Sequence, residues 1–488
     1  MKRRVRGVLL VALLAGWLVM AYWQTVKPLP QGTHVAGPVC PVAAGQVNFI
    51  ADITAADAYG RLVVSQGIFD EVLKVVRGAR HFIVLDYALL GAAEGAQPQR
   101  PLAAELTDAL LEAKRTQPQL KVLLITDPIN ERYGASRSTQ LTLLRAAGVE
   151  VVLARLDTLR DSNFLYSSLW RLTVRWWDGP RGPLGFPLGQ LNFKADHRKV
   201  VIADDGGDGL VGVVGSANPS DAQSGWSNLA AQVAGDSLGA LLASELAIAR
   251  FSGWTGNSEP YLRAADPRAP EQCARAVAAA AVAAPLSADT ARVQVLTEGA
   301  LRSALLEHAQ ASGRGDAIDV AMFGFADRGL IEALLDASRR GVLVRLILDP
   351  SEDATTVVPS GLPNQPAASE LVARSAGAVR VRWYRTHGER FHAALVLFSG
   401  RQNLWMTVGS ANLTRRGLDD YNLEANLAIE VLRDAPLAAQ AQGYFDTLWS
   451  NGAALGIEYT ADFAAFADSR QADYWLYRLL EGTGFTGF

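Results

Sequence analysis

Two histidines, each followed at nearly the same distance by Gly-Ser-Ala-Asn, are the residues of this chain best placed to carry out chemistry. The first, His197, is followed by Lys199 and Asp204, and Gly-Ser-Ala-Asn at 215–218 supplies Ser216 and Asn218. A histidine and a lysine two residues apart on a strand share one face, so both can approach one anion. The serine hydroxyl, the asparagine amide and the backbone amides of the turn could bind the same anion. The set predicts a phosphate site with a residue able to act as nucleophile or acid.

The second copy keeps the histidine, as His392, and Gly-Ser-Ala-Asn at 409–412 adds Ser410 and Asn412 as phosphate-binding candidates. Its lysine is absent, because Ala394 stands at that position. Losing one charge-assisted contact to a phosphate typically costs about 1.5–3 kcal/mol. If that contact strengthens in the transition state, the rate falls by roughly tenfold to a few hundredfold.

The missing lysine leaves three interpretations open. The chain could be a weakened or specialised enzyme, a binding protein without turnover, or a protein in which the lysine was replaced deliberately. Ser399 likewise stands at the aspartate position of the second copy. Arg390 or Arg415 could supply the missing charge, although the spacing does not demand it.

The elements around the two motifs also repeat. An apolar strand ending in Asp-Pro occurs at 120–128 and again at 342–350, and each follows an amphipathic helix and another apolar strand. Strands alternating with helices predict an α/β fold of two similar halves, each a mostly parallel sheet flanked by helices. We predict an N-terminal segment at 1–30, a first half at 45–255, a linker at 256–290, a second half at 291–452 and a C-terminal helical extension at 453–488.

With both motifs in view, the chain resembles the phospholipase D superfamily, whose pattern is His-x-Lys-x4-Asp followed by Gly-Ser-x-Asn. The first copy matches in full, and the second keeps its histidine and Gly-Ser-Ala-Asn. The outline is similar to that of bacterial membrane-anchored cardiolipin synthase-like members. The resemblance implies that the halves pack about a pseudo-twofold axis and form one site at the seam. It implies no metal or cofactor, one histidine that becomes phosphohistidine, and another that protonates the leaving alcohol.

The resemblance assigns His197 as nucleophile and His392 as general acid/base, with the reverse assignment left open. Lys199 and the serine and asparagine of each Gly-Ser-Ala-Asn would hold the phosphoryl oxygens. Asp204 would orient its half's histidine or strand. Glu424 aligns with Ala230 of the first half if Asn422 is matched to Asn228, and it is either an orienter of His392 or a surface carboxylate.

The N-terminus predicts contact with a membrane. Four cationic residues precede an apolar run from Gly7 to Trp23, which favours an uncleaved anchor over a cleaved signal peptide. The basic flank should remain cytoplasmic, which places the catalytic part outside, on the periplasmic side of a bacterial inner membrane. Cys40 and Cys273 would form a disulfide in such a compartment, or remain two free buried thiols.

Three features of the sequence bear on the class of substrate: the N-terminal anchor, the net charge and an insertion in the first half. The first half carries about thirty extra residues at 155–190, in which Trp170, Trp176 and Trp177 mix with arginines. This insertion suits a membrane interface or packs its aromatics on the body. We expect a membrane phospholipid substrate, for a cardiolipin synthase-like or phospholipase D reaction. The net charge of −3 disfavours nucleic acid without excluding it. The alternatives are an exported nuclease of the same superfamily and an impaired anionic-lipid-binding protein, and the oligomeric state is open.

Overall fold

The computed structural model describes residues 2–91, 100–173, 185–262, 273, 286–351, 360–451, 456–468 and 470–486. Most of the predicted linker, and Trp176 and Trp177 of the insertion, lie outside the described residues. The described chain opens with helix α1 (Lys2–Val26) and strand β1 (Cys40–Ala43). Cys40 forms a disulfide with Cys273, 233 residues away in sequence, so one of the two predicted alternatives is the one observed.

The first half is built on a sheet of eight described strands. Their order across the sheet is β3-β2-β9-β8-β7-β4-β5-β6. The strands are β2 (Val47–Ala56), β3 (Leu62–Ser65), β4 (Phe82–Tyr87), β5 (Lys121–Thr126), β6 (Glu150–Leu153), β7 (Lys199–Asp204), β8 (Leu210–Gly215) and β9 (Asn228–Ala234). The helices are α2 (Ile68–Gly78), α3 (Leu102–Thr116), α4 (Thr139–Ala146), α5 (Phe164–Leu172), α6 (Gly185–Gln190), α7 (Gly239–Phe251) and α8 (Glu259–Leu262).

The second half repeats this arrangement, and strand β1 joins its sheet. The order across its nine described strands is β1-β10-β16-β15-β14-β11-β12-β13-β17. The strands are β10 (Thr290–Thr297), β11 (Ala317–Met322), β12 (Leu343–Leu348), β13 (Val379–Tyr384), β14 (Ala394–Ser399), β15 (Asn403–Gly409), β16 (Ala425–Leu432) and β17 (Thr460–Asp462). The helices are α9 (Gly299–Ala311), α10 (Arg328–Arg339), α11 (Asn364–Arg374), α12 (Arg415–Leu418), α13 (Pro436–Ser450) and α14 (Gln471–Thr483).

Both sheets are mixed, so the prediction of mostly parallel sheets was wrong. The parallel pairs are those joined by helices, β4 with β5 and β5 with β6, and likewise β11 with β12 and β12 with β13. The histidine strands β7 and β14 pair antiparallel with both neighbours. Their links to β8 and β15 are short turns, and a short turn can join only antiparallel strands. The sequence-based prediction extended the helix-linked pattern to strands that no helix connects.

The two halves share one hydrophobic core across the seam. One cluster of buried side chains includes Val214 and Leu229 from the first half and Leu395 and Val408 from the second. Each strand here is buried on both faces, which matches its nearly continuous run of valine, leucine and alanine. Because this packing is continuous, the two halves form one packed unit across the seam.

Helix α1 is the one helix among the described residues that is long and apolar enough to cross a membrane, over Arg4–Val26. Length and composition suit a membrane anchor or a signal sequence. The outer end of this helix packs on α5, where the Trp17 indole donates to the Leu165 carbonyl at 3.1 Å. The described part of the insertion therefore lies against the N-terminal helix.

Candidate active site

The two motif histidines lie side by side at the seam. The ring centroids of His197 and His392 are 6.4 Å apart. Both rings line one cavity of about 250 Å³. The cavity is also lined by Ala88, Leu89, Asp127, Ile129, Tyr133, Lys194, Ala195, Asp196, Asn218, Gln223, Trp226, Phe323 and Arg390. A volume of this size admits a phosphate group with its two ester oxygens.

Main-chain hydrogen bonds with the opposite half position His197. Its N–H donates to the carbonyl of Leu423 at 2.9 Å, and the Leu423 N–H donates back to Ala195 at 3.1 Å. On the other side, the Asp127 carboxylate of the first Asp-Pro accepts from the N–H of Asp196 at 2.8 Å. The histidine backbone is therefore held by a neighbouring strand end and by the other half.

His392 is held in the same way, with the halves exchanged. Its N–H donates to the carbonyl of Ser227 at 2.8 Å, and the Ser227 N–H donates to Arg390 at 3.0 Å. The Asp349 carboxylate of the second Asp-Pro accepts from the N–H of Phe391 at 2.9 Å. The repeated Asp-Pro was noticed in the sequence only as part of the duplication, yet both aspartates bind the residue that precedes a motif histidine.

The Nδ1 atom of His197 contacts a carboxylate from the second half. Both oxygens of Glu424 lie 3.0 Å from it, and the Ser410 hydroxyl donates to Glu424 at 2.6 Å. Both Glu424 and Ser410 are buried. The expectation that Glu424 orients His392, or lies on the surface, is therefore wrong: it contacts the histidine of the other half.

The Nδ1 atom of His392 faces an amide instead. Asn228 Oδ1 lies 3.0 Å from it and 3.0 Å from the Ser216 hydroxyl. The Ser216 hydroxyl also accepts from the N–H that follows Asn228, and Ser410 accepts from the N–H that follows Glu424. Asn228 and Glu424 are thus the equivalent residues of the two halves. Matching Asn228 to Asn422 in the sequence was wrong because the loop after the second Gly-Ser is two residues longer.

This difference makes the two imidazoles electrostatically unequal. Burial lowers the pKa of His197, and the Glu424 carboxylate opposes that effect. Burial also lowers the pKa of His392 well below its usual value, and the cations of Lys199 and Arg390 and the charge of His197 lower it further. Since Asn228 is neutral, nothing equivalent to Glu424 offsets this at His392. His392 is the weaker base and, once protonated, the stronger acid.

The other predicted residues take different places. Lys199 is buried and donates to the His197 carbonyl at 2.6 Å, and burial lowers its pKa to about 8. Asn218 lines the cavity, whereas Asn412 lies beside Gly324 and is not among the lining residues. The hydroxyls of the two motif serines hold the Nδ1 partners behind the rings rather than face the cavity.

Asp204 is remote from the cavity. It lies at the far end of β7 from Lys199, and its carboxylate accepts from the N–H groups of Arg80, His81 and Phe82 at 2.8–2.9 Å. Of the two roles expected for Asp204, orientation of the histidine is therefore wrong, and Asp204 is not a catalytic residue. It fixes the start of β4 against the end of β7, which agrees with the expected role in holding the strand.

A cluster of buried charges lies behind the first histidine. Arg198 is fully buried and contacts Glu245 at 3.0 Å and Glu298 at 2.6 Å. Asp86 and Asp196 are also buried, and burial is the main cause that raises the pKa of each. Repulsion from Asp196 adds to this at Asp86, and repulsion from Asp127 and Glu245 adds to it at Asp196. Lys199 therefore occupies a site built with counter-charges.

The second half replaces this cluster by apolar residues. Strand pairing makes Ala321 the counterpart of Asp86, and Ala394 that of Lys199. Phe391 and Ala393 stand where the first half has Asp196 and Arg198. All four replacements are buried. Ala394 is thus one of four positions at which the second half has a buried apolar residue where the first has a charged one. A deliberate replacement of the lysine alone would have left the acidic partners in place, so that interpretation does not fit.

Arg390 brings a cation to the cavity from the loop before His392. Its guanidinium lies over the ring of Trp226 at 5.1 Å and over that of Phe323 at 5.7 Å. Arg415 instead contacts Tyr421 and the carbonyl of Glu481, away from the cavity. Of the two arginines considered from the sequence, Arg390 is the one at the site.

Sequence reasoning missed the aromatic part of the cavity. Trp226 and Phe323 pack on His392, with ring centroids 5.2 and 4.9 Å from its own. Tyr133 enters the lining from a turn in which Arg132 and Tyr133 adopt left-handed φ of 47° and 52°. No pattern in the sequence marks these residues, because loops from distant segments bring them together. In the described residues no group of histidine, cysteine and carboxylate side chains could hold a metal ion.

The fold and the site define a class: duplicated α/β proteins in which each half gives one histidine to a single seam cavity. Residues 303–449 match the family model described as "Cardiolipin synthase, PLD-like domain". This matched segment is most of the second half and contains His392 and its Gly-Ser-Ala-Asn, so the second half is similar to a phospholipase D-like domain. None of the curated proteins compared with the chain matches it.

Three solved structures are similar to the chain to different extents. Phosphatidylserine synthase of Haemophilus influenzae Rd KW20 matches with a TM-score of 0.54 and 13% identity, over 91% of this chain and 94% of that one. Polyphosphate kinase from Porphyromonas gingivalis matches at 0.43 and 12%, over 84% and 50%. The phospholipase D family member Nuc from Salmonella typhimurium matches at 0.27 and 18%, over 35% and 97%. At these identities the first likeness shows the fold.

The apolar surroundings of Ala394 predict that restoring the lysine destabilises the protein. Ala394→Lys buries a charge with no counter-charge, which should lower the free energy of unfolding by about 3–5 kcal/mol. Ala394→Met adds a chain of similar length without charge and should cost less. The double variant A321D/A394K, which returns one acidic partner, should recover part of the loss. Denaturant unfolding in detergent measures all three, and equal losses for Lys and Met would show that size, not charge, sets the cost.

Proposed function

We propose that this protein is a phospholipase D-type phosphodiesterase or phosphatidyltransferase that acts on membrane phospholipid. The pair of imidazoles 6.4 Å apart over one cavity carries the proposal. Both Nδ1 atoms are engaged by Glu424 or Asn228, which leaves the two Nε2 atoms for chemistry. The match to a cardiolipin synthase-type family model supports phospholipid as the substrate class.

The unequal Nδ1 partners favour His197 as the nucleophile. Glu424 accepts the Nδ1 proton, so the neutral ring carries its lone pair on Nε2. Attack on phosphorus forms the Nε2–P bond, breaks the bond from phosphorus to the leaving alcohol oxygen, and places positive charge on the ring. The buried carboxylate stabilises that charge. The protonated Nε2 of His392 gives its proton to the leaving oxygen.

The second step reverses the proton transfer. His392, now neutral, takes a proton from water or an acceptor alcohol, whose oxygen bonds to phosphorus as the Nε2–P bond to His197 breaks. Water gives phosphatidic acid, and an alcohol gives a new phosphodiester. The low pKa of His392 makes its imidazolium a strong acid, and the negative charge of a bound phosphodiester raises that pKa toward the working range.

Arg390 is the cation we assign to the side of the cavity where the lysine is absent. Its place between two aromatic rings fixes the guanidinium next to His392. Lys199 contributes its field from the other side, since its amino group donates to a backbone carbonyl. A bound phosphodiester would therefore be attracted by one cation from each half: by Arg390 at the cavity wall and by Lys199 from behind His197.

The N-terminal helix and the disulfide support a membrane-anchored enzyme outside the cytoplasm. A disulfide persists in oxidising compartments and is rare in the cytosol. The basic flank of the helix favours the cytoplasmic side for the N-terminus. Both observations agree with the placement expected from the sequence.

The reaction is tested with full-length protein in liposomes that contain labelled phosphatidylglycerol. Cardiolipin identifies transfer, and phosphatidic acid identifies hydrolysis. A phosphatidyl ester with a p-nitrophenol leaving group needs no proton on departure, so His392→Ala should still release a burst of nitrophenol and hold a phosphatidyl group on the protein. His197→Ala should give neither, and the exposed His81→Ala is the control.

Binding without turnover, or cleavage of single-stranded DNA instead of lipid, would reject the proposal. A burst from the His197 variant alone would reverse the two roles.

The low pKa values of both histidines predict an acidic pH optimum for kcat/KM. One imidazole must be neutral and the other protonated, so both limbs of the pH profile lie below the usual histidine value of about 6.5. Asn228→Asp places a carboxylate at the Nδ1 of His392, which raises its pKa. Because His392 has the lower pKa of the two histidines, the acidic limb should move to higher pH. Asn228→Ala serves as control, because it removes the contact without adding charge. An unmoved limb in the aspartate variant would show that Asn228 does not set this pKa.

Removing the arginine at the cavity should slow turnover. Arg390→Ala loses a charge-assisted contact to the phosphate worth about 1.5–3 kcal/mol, so kcat/KM should fall by roughly tenfold to 150-fold. Arg390→Lys should keep most of the activity. Arg385→Ala, in the same loop but paired with Glu458 at 2.9 Å, is the matched control. Equal activities of the Arg390 and Arg385 alanine variants would exclude a role for Arg390 at the phosphate.

A further inference from the structure

Helix α1 has two parts with different surroundings. Its residues from Arg4 to Gly16 are exposed all round, and a Cβ built on Gly16 would meet no atom within 4 Å. From Trp17 onward the helix lies against the body. The Gln24 carbonyl accepts from the N–H of Asp161 at 3.0 Å, one of several contacts that attach this part.

The apolar run of α1 is too short to cross a bilayer if the folded part of the protein beside it stays in water. The run from Gly7 to Trp23 spans about 26 Å at about 1.5 Å per residue, and the hydrocarbon core of a bilayer is about 30 Å thick. The whole run is therefore needed to cross. Residues 17–23, roughly 10 Å of that length, have protein packed beside them. Whatever packs there must enter the hydrocarbon with the helix.

We infer that the face of the body beside α1 is submerged in the adjoining leaflet of the membrane, to a depth of roughly 10 Å. This inference rests on the membrane anchoring proposed above and not on the reaction. The partner surface is the lipid leaflet that α1 crosses. A body held wholly in water would leave an anchor whose free part is too short to span.

The side chains of this face fit lipid. Helix α5, which packs on α1, exposes Leu169 at 50% and Leu172 at 46%. A groove of about 510 Å³ runs between α1 and the body and is lined by Leu18, Ala21, Tyr22, Thr25, Val26, Phe164, Arg415 and Tyr421. An apolar groove open beside a membrane helix suits an acyl chain.

The charges of this face are paired, which reduces the cost of placing them near lipid. Arg171 contacts Asp161 at 3.0 Å, and Arg160 contacts Asp420 at 2.9 Å. Lys27, just outside the span, donates to the carbonyl of Asp157 at 2.9 Å. An interfacial protein surface tolerates such ion pairs at the headgroup level.

The submerged face and the catalytic site are linked by one short segment of the chain. Arg415 and Tyr421 line the groove beside α1. Three residues beyond Tyr421, Glu424 contacts His197. One short loop therefore extends from the groove beside α1 to Glu424, the partner of the proposed nucleophile.

Spin labels on introduced cysteines test the depth in full-length protein reconstituted in phosphatidylglycerol-containing liposomes. The native cysteines are paired, so each variant carries one reactive thiol. The labelled variants are Leu169→Cys and Leu172→Cys, with Leu10→Cys as the position in the bilayer. Leu143→Cys is the matched exposed leucine: it is 49% exposed on α4, a helix that packs on α3 and β6. The accessibility to oxygen relative to a water-soluble nickel complex reports depth for each.

We expect this ratio to be several-fold higher at 169 and 172 than at 143, and to approach the value at 10. Ratios at 169 and 172 equal to that at 143 would overturn the inference, as would an aqueous environment at 10. The measurement needs no turnover, so an inactive protein that gives the expected ratios would reject the proposed reaction and keep the docking surface. An active protein with aqueous labels would do the opposite.

Discussion

The site depends on a reciprocal clasp of main-chain hydrogen bonds at the seam. The backbone of His197 is bound to Leu423 of the second half, and that of His392 to Ser227 of the first. Since Glu424 and Asn228 come next in sequence, the contacts that align the backbone also bring each Nδ1 partner to its ring. Neither half contains a complete histidine site. Chemistry and the docking of the halves are therefore properties of the same few residues.

Within this symmetric frame the two halves differ in charge. The first half surrounds Lys199 with buried acids and a fully buried arginine, Arg198. Buried charges are stable when paired, and the acids that attract Lys199 are Glu424 of the second half and Asp196, Asp86 and Asp127 of the first. The second half has neither the lysine nor counterparts of Asp86 and Asp196, and its cation at the cavity, Arg390, comes from the loop before β14. The guanidinium of Arg390 lies over the rings of Trp226 and Phe323, so the half with the apolar interior also brings a cation to the cavity.

Much of this was predictable because the chain repeats. Two similar motifs predicted two similar halves. The family resemblance predicted that both histidines meet at one seam, and they do. The sheet pairing was not predictable from the helix-linked strands alone, since short turns decide the direction of the β7 and β14 neighbours. The partner of each histidine was also missed: a two-residue difference in loop length hid the equivalence of Asn228 and Glu424. Asp204 has the spacing of the family motif, but β7 runs from Lys199 to Asp204 and places Asp204 at its far end, away from the cavity.

The residues that replace the charges of the second half contribute to the clasp itself. Phe391, at the position of Asp196, stacks on Tyr384 with ring centroids 4.2 Å apart. The Tyr384 hydroxyl donates to the carbonyl of Thr54 at 2.5 Å and lies 3.1 Å from the Ser227 hydroxyl, both in the first half. Ser227 is the residue that binds the His392 backbone. The apolar exchange therefore places an aromatic pair where it braces the seam on the His392 side, next to the residue that binds the His392 backbone.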